Sequence, residues 1–176
     1  MICKKLKECY ECERNGSRIK KCENNNHDNC VKVFADRPKI KCEEKGKKYT
    51  LENTNKNHVI SYKIDDGVIV KDKSVSDEIR KCDYGFFIDK ETAILIELKG
   101  CHSKDAIEQI GQTLTLFKGF LKEFSHVYAR IIVASNAPKK MNPKRLELEK
   151  RLRQEFGGNL KIKQRSYEEK DNEFRE

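Results

Sequence analysis

Three charged side chains stand where charge is costly: Asp83, Glu97 and Lys99, all within CDYGFFIDKETAILIELKG (82–100). Two apolar runs, Phe86-Phe87-Ile88 and Ile94-Leu95-Ile96, flank Asp89-Lys90-Glu91-Thr92. Short runs of β-branched and aromatic residues on either side of a polar turn predict a β-hairpin. With the turn centred near Lys90, Asp83 falls opposite Glu97. Strand periodicity then puts Glu97 and Lys99 on one face and Leu98 on the other. The second run is apolar on both faces, which predicts a buried central strand. Charges at the end of such a strand need partners or a metal. Two neighbouring carboxylates, with the Leu98 carbonyl as a further oxygen, suit a hard cation such as Mg²⁺, with Mn²⁺ able to substitute. A lysine beside that ion can orient a water and offset charge building on a phosphoryl group. Metal and ammonium together are equipment for hydrolysing a phosphodiester.

Asp83, a gap of thirteen residues, then Glu97-Leu98-Lys99 resembles motifs II and III of the PD-(D/E)XK nuclease superfamily, which includes restriction endonucleases and Holliday-junction resolvases. The helix that follows, with Gln109 and Gln112 in its first turns, is similar to the Q-containing helix of many members. Cys82 stands where the family name has proline. The resemblance spans roughly residues 60 to 165 and rests on short motifs. It implies that Asp83 and Glu97 are metal ligands and that Lys99 is the catalytic lysine. It also implies hydrolysis of DNA with a 5′-phosphate left on the product. Gln109, one turn beyond the helix start, is a candidate to bond the attacking water or a substrate phosphate. An ordinary polar helix residue is the equal alternative.

The elements that must position these residues can be read on both sides of the hairpin. His58 to Ile64 (HVISYKI), then Asp65-Asp66-Gly67, then VIV predict a first hairpin about a D-G turn. Asp66 and Glu78 are second-rank acidic candidates for the site. After Gly100, Ser103 or Asp105 caps a helix, with Asp105 and Glu108 spaced as a capping box. Ile107, Ile110, Leu114, Phe117, Leu121 and Phe124 recur at intervals of three and four, which predicts one long amphipathic helix. HVYARIIVA (126–134) reads as a buried strand. Asn142-Pro143 opens a helix that buries Leu148, Leu152 and Phe156 and stops at Gly157-Gly158. Residues 159–165 are expected as an edge strand. The order predicts an α/β sandwich with a central mixed β-sheet flanked by helices, which matches the restriction-endonuclease-like core the resemblance implies. The expected division is a Cys-rich basic N-terminal arm (1–57), the core (58–166) and a charged tail (167–176).

Composition narrows the function classes. Lys and Arg number 38 against 29 Asp and Glu, a net charge of +9. Residues 1–56 hold 15 basic and 9 acidic side chains and residues 118–165 hold 13 and 4, whereas 57–117 hold 8 and 11. Basic flanks around an acidic centre suit a polyanion held over a metal-binding site, although a lysine-rich surface also serves solubility. Lys139, Lys140, Lys144, Arg145, Arg151 and Arg153 are the candidate phosphate-backbone contacts. No apolar run approaches membrane-spanning length and no secretory signal opens the chain, so a soluble cytoplasmic protein is expected. Eight cysteines without a secretory context argue against a disulfide scaffold. Cys9, Cys12, Cys22 and Cys30 are candidates for a structural Zn²⁺, against reduced thiols in a semi-ordered arm. DNA is the expected partner, with RNA and a non-catalytic nucleic-acid-binding module as alternatives. Cutting both strands of a duplex would favour a homodimer.

Overall fold

A strand that is apolar on both faces needs a cover on each side, and the computed structural model shows what supplies them. It describes residues 2–17, 30–65, 67–68, 80–100, 103–134 and 142–174. In chain order these form α1 (Ile2–Arg14), β1 (Val31–Phe34), β2 (Lys39–Glu44), β3 (Lys47–Glu52), β4 (Val59–Lys63), β5 (Tyr84–Ile88), β6 (Thr92–Lys99), α2 (Ser103–Leu116), α3 (Lys118–Leu121), β7 (His126–Val133), α4 (Pro143–Phe156), β8 (Leu160–Gln164) and β9 (Ser166–Lys170). The chain is α/β with two mixed sheets. One has six strands in the order β1-β4-β5-β6-β7-β8, and the other runs β2-β3-β9. Pairing in the large sheet is antiparallel from β1 to β6 and parallel from β6 through β8. Among the described residues no helix is long and apolar enough to cross a membrane.

Strand alternation divides the core in two. Ala93 and Leu95 of β6 and Val127, Ala129, Ile131 and Val133 of β7 join the helix-side cluster with Ile107, Ile110, Leu114, Leu148 and Leu152. Ile94, Ile96 and Leu98 face the opposite way, onto Ile40, Tyr49 and Leu51 of the small sheet. The order is therefore helices, large sheet, small sheet. By the same alternation Glu97 and Lys99 belong to the helix face.

The segment before residue 58, expected as an arm, contributes to both layers. Leu6 and Tyr10, four residues apart on α1, are buried in the helix-side core. The Tyr10 ring meets Phe87, Phe120 and Phe124 edge-on at 5.4–5.9 Å, and its hydroxyl donates to the Asp89 carbonyl. β1 pairs with β4 at the edge of the large sheet, and β2 and β3 make most of the small one. The tail likewise turns inward, because β9 runs parallel to β3 and buries Glu169, and Phe174 beyond it is buried too. The single helix expected across 105–124 is two. At Phe117 (φ −103°, ψ 15°) the run bends, which brings Phe120 and Phe124 onto the Tyr10–Phe87 cluster. Val68, expected to open the second strand of the D-G hairpin, lies in a turn, and the rest of that strand, along with Asp66 and Glu78, lies outside the described residues.

α4 follows its sequence signals closely. The Asn142 side chain accepts from Lys144 N, Pro143 takes the first turn, and Gly157 closes the helix in the left-handed region (φ 61°). Gly158 then passes so near β7 that an added Cβ would lie 1.8 Å from the Val127 carbonyl oxygen. Gly158→Ala is expected to cost about 3 kcal/mol of stability by overpacking backbone against backbone. Denaturant midpoints would show it, and an unchanged midpoint would contradict so close an approach.

Candidate active site

The β5–β6 register brings the three charged residues together. Tyr84 pairs with Ile96, so Asp83, one residue before the strand, is level with Glu97. Asp83 Oδ2 accepts from the Leu98 backbone N–H at 2.6 Å, so a side chain replaces a ladder bond at the hairpin's open end. Glu97, 1% exposed, lies on the helix side with its Oε1 3.9 Å from Lys99 Nζ. Its Oε2 is buried and has no hydrogen-bond partner among the described residues. Lys99 Nζ donates to Gln109 Oε1 at 2.7 Å, and Gln109 Nε2 donates to the Lys81 carbonyl at 2.9 Å. Both ends of the Gln109 amide are engaged, so this residue orients Lys99 and ties α2 to the strand end.

Cys82 is wholly buried against the same helix. Its backbone N–H donates to Thr113 Oγ1 at 2.8 Å, and that hydroxyl donates to the Gln109 carbonyl at 2.7 Å. Gln112 lies outside this group, exposed, accepting from Arg80 N at 2.7 Å. A further acid, absent from the sequence expectations, is Asp65, whose carboxylate lies 3.2 Å from Lys81 Nζ. Its charge acts on both Asp83 and Glu97. Sequence alone offered only an Asp-Asp-Gly turn, in which Asp66 was the residue singled out.

Burial dominates the electrostatics. It pushes the Asp83 carboxyl up to about 6, while the Leu98 N–H works in the opposite direction. Burial and then the neighbouring Asp83 charge push Glu97 up to about 9, with Lys99 pulling the other way. Carboxylates this close cannot all ionise cheaply without a cation. The unfolded chain releases the Glu97 proton near the ordinary 4.5, the folded chain only near 9. Stability from this group is therefore complete below pH 4.5 and declines as pH rises toward 9. Thermal melts in EDTA should show a midpoint that falls from about pH 5 to about pH 8, and a flatter profile for Glu97→Gln. Equal profiles would mean that Glu97 ionises freely.

Asp83 and Glu97 are two oxygen-bearing side chains, and the unpartnered Glu97 Oε2 supplies a buried acceptor facing no donor. That donor set fits a hard cation that keeps waters of its own. Among the described residues no group of three or more His, Cys, Asp or Glu side chains is gathered as a metal cage. Of the zinc candidates, Cys9 and Cys12 lie on α1 and Cys30 immediately before β1, with Tyr62 OH donating to Cys9 Sγ at 3.3 Å. Cys22 lies outside the described residues.

The basic helix is largely neutralised. Lys144 pairs with Glu108, Arg145 with Glu149 at 2.8 Å, and Arg151 with Glu155 at 3.4 Å. Arg151 also donates to the Gly111 carbonyl at 3.0 Å, which joins α4 to α2. Arg153 is exposed, and Lys139 and Lys140 lie outside the described residues. Comparison of the chain with protein-family models, with curated proteins and with solved structures finds no match.

Proposed function

We propose that the chain is a divalent-metal-dependent nuclease that hydrolyses phosphodiester bonds of DNA, built as a PD-(D/E)XK-type, restriction-endonuclease-like sandwich. The observation that carries this reading is the buried, unpartnered Glu97 carboxylate beside Asp83, with Lys99 held next to it by Gln109. A lysine that served only to neutralise Glu97 would approach it within hydrogen-bond distance. Here the lysine is drawn to an amide, 3.9 Å from the acid, and one carboxylate oxygen is left over. The antiparallel hairpin followed by a helix and a parallel strand agrees with the core this superfamily would require.

Asp83 and Glu97 would hold Mg²⁺ or Mn²⁺, with the Leu98 carbonyl as a further ligand. Bound there, the ion would supply Lewis acidity to the phosphodiester and lower the pKa of an attacking water. Lys99 is one-third exposed, so its ammonium is open to substrate and can orient that water and offset charge on the phosphoryl oxygens. Gln109 keeps the ammonium in place. Water adds to phosphorus as the bond to the 3′-oxygen breaks, leaving a 5′-phosphate and a 3′-hydroxyl. The test is incubation of the purified protein with plasmid and single-stranded DNA in Mg²⁺, Mn²⁺ or EDTA, beside Lys99→Ala. Metal-dependent cutting that is lost in the variant supports the reading. DNA binding that persists in EDTA, with no cutting under either metal, would favour a non-catalytic binding module instead. The observation that favours this second reading is a cleft lined by Lys32, Arg37, Lys41 and Lys63.

A further inference from the structure

A cleft of about 560 Å³ opens where the two sheets diverge, lined in part by Lys32, Phe34, Arg37, Lys41, Lys63 and Tyr84. Alternation explains the lining. Lys32 and Phe34 share one face of β1, Lys63 lies opposite Tyr84 in the β4–β5 ladder, and Lys41 points outward from β2 between buried Ile40 and Cys42. Lys39 also lines the cleft, but Glu52 at 2.9 Å and Glu168 at 2.5 Å hold its ammonium. Lys32, Arg37, Lys41 and Lys63 make no ion pair among the described residues, and Glu43 is the one carboxylate among the cleft's described lining residues. The Arg37 guanidinium lies 5.3 Å over the Phe34 ring, and Tyr84 adds a second ring to the lining.

The cleft lies on the small-sheet face of the large sheet and reaches the end of the hairpin that carries Asp83. Tyr84 in its wall follows Asp83 directly, and Ile64 N, next to Lys63, donates to the Asp83 carbonyl at 2.8 Å. Cys42, also in the wall, feels the Asp83 charge. We infer that this cleft binds an unpaired DNA strand and leads it around the sheet end at Asp83, with Glu97 and Lys99 on the far face, so that the substrate is single-stranded DNA or a single-stranded flap or overhang. Cations that track phosphates, interleaved with rings on which bases stack, are the recognition chemistry of single strands. Paired bases are stacked on one another and would leave the rings unused. A duplex asks instead for groove-directed side chains or broad phosphate contact.

The inference rests on the nuclease reading, but its test does not depend on cleavage. Binding of fluorescently labelled single-stranded DNA, single-stranded RNA and duplex DNA of one length is measured by anisotropy in EDTA. Single-stranded DNA is expected to bind at least about tenfold tighter than duplex. The double variant Lys41→Glu, Lys63→Glu, both on exposed strand positions, should retain its melting temperature and lower the single-strand salt slope by about 1.4, two phosphate contacts' worth. Phe34→Ala should weaken binding about tenfold without changing that slope. Equal affinity for duplex, a preference for RNA, or an unchanged slope in the folded double variant would each overturn the assignment. None of these outcomes bears on metal-dependent cutting, which Lys99→Ala tests separately.

Discussion

Lys99→Ala is expected to leave a folded protein that cuts DNA about a thousandfold more slowly in Mg²⁺, the scale seen when one preorganised electrostatic group is removed from a reaction site. The fold should tolerate the change, because Lys99 is partly exposed and ends its strand. Its two contacts are a 2.7 Å hydrogen bond to Gln109 and a 3.9 Å approach to Glu97, and water can replace the first. Glu97→Gln should be equally inactive but for a different reason, and with an opposite effect on stability. It keeps the shape of a fully buried side chain while removing the charge that burial disfavours. The variant should therefore melt no lower than wild type in EDTA at neutral pH, and lose the stabilisation that Mg²⁺ or Mn²⁺ gives the wild-type protein. A site built for function often costs stability in this way. Single-turnover cleavage and thermal melts with and without metal measure both effects. Substantial activity in folded Lys99→Ala would eliminate the proposed role. Equal metal stabilisation of Glu97→Gln would remove the carboxylate from the ligand set.

What was legible in the sequence followed from local rules. Ile94 to Ile96 is apolar on both faces because β6 is central and covered on both sides, so periodicity and burial agreed there. The turn at Asp89–Glu91 fixed the register, and register alone put Asp83 beside Glu97. Asn142, Pro143 and Gly157 marked α4 because caps act within one turn. The small sheet was hidden for a physical reason. KIKCEE and KKYTLE carry their lysines and glutamates on an outer face and at the ends, so charge masked the buried Ile40, Cys42, Tyr49 and Leu51. β3 also pairs with β9 from the far end of the chain, and no local signal carries such a contact. α1 buries only Leu6 and Tyr10 of its described side chains, too few to stand out among charges. Phe117 carried the apolar stripe across its own bend, so the α2–α3 break left no mark in the spacing. Asp65 was missed because a turn aspartate is ordinary, and only the fold brings it to Lys81.

The buried Arg130 carries the largest expected effect on stability. It projects from β7 toward the small sheet, 0% exposed, and Glu169 of β9 meets it with a charged hydrogen bond. Tyr49 and Tyr167 donate to the same carboxylate at 2.9 and 3.1 Å, and Lys161 approaches at 3.5 Å. The guanidinium also donates to the Ala129 carbonyl and to Asn159 Oδ1, at 2.9 and 2.8 Å. This network joins the two sheets and fixes β9. Glu169→Ala would strand a buried cation and two hydroxyls, at a cost of about 3–5 kcal/mol. In a domain of this size that lowers the melting temperature by about 10 °C or more. The double change Arg130→Met, Glu169→Leu should recover most of the loss, because a buried pair replaced by apolar side chains of similar volume is often neutral. A double variant no more stable than Glu169→Ala would mean that the ion pair, rather than the stranded charge, sets the cost. The network faces the small sheet, whereas Glu97 and Lys99 face the helices, so well below its midpoint Glu169→Ala should still cut DNA at the wild-type rate. Lys99→Ala should do the reverse, melting normally and cutting poorly, and the pair of variants separates what holds the sheets together from what acts on the phosphate.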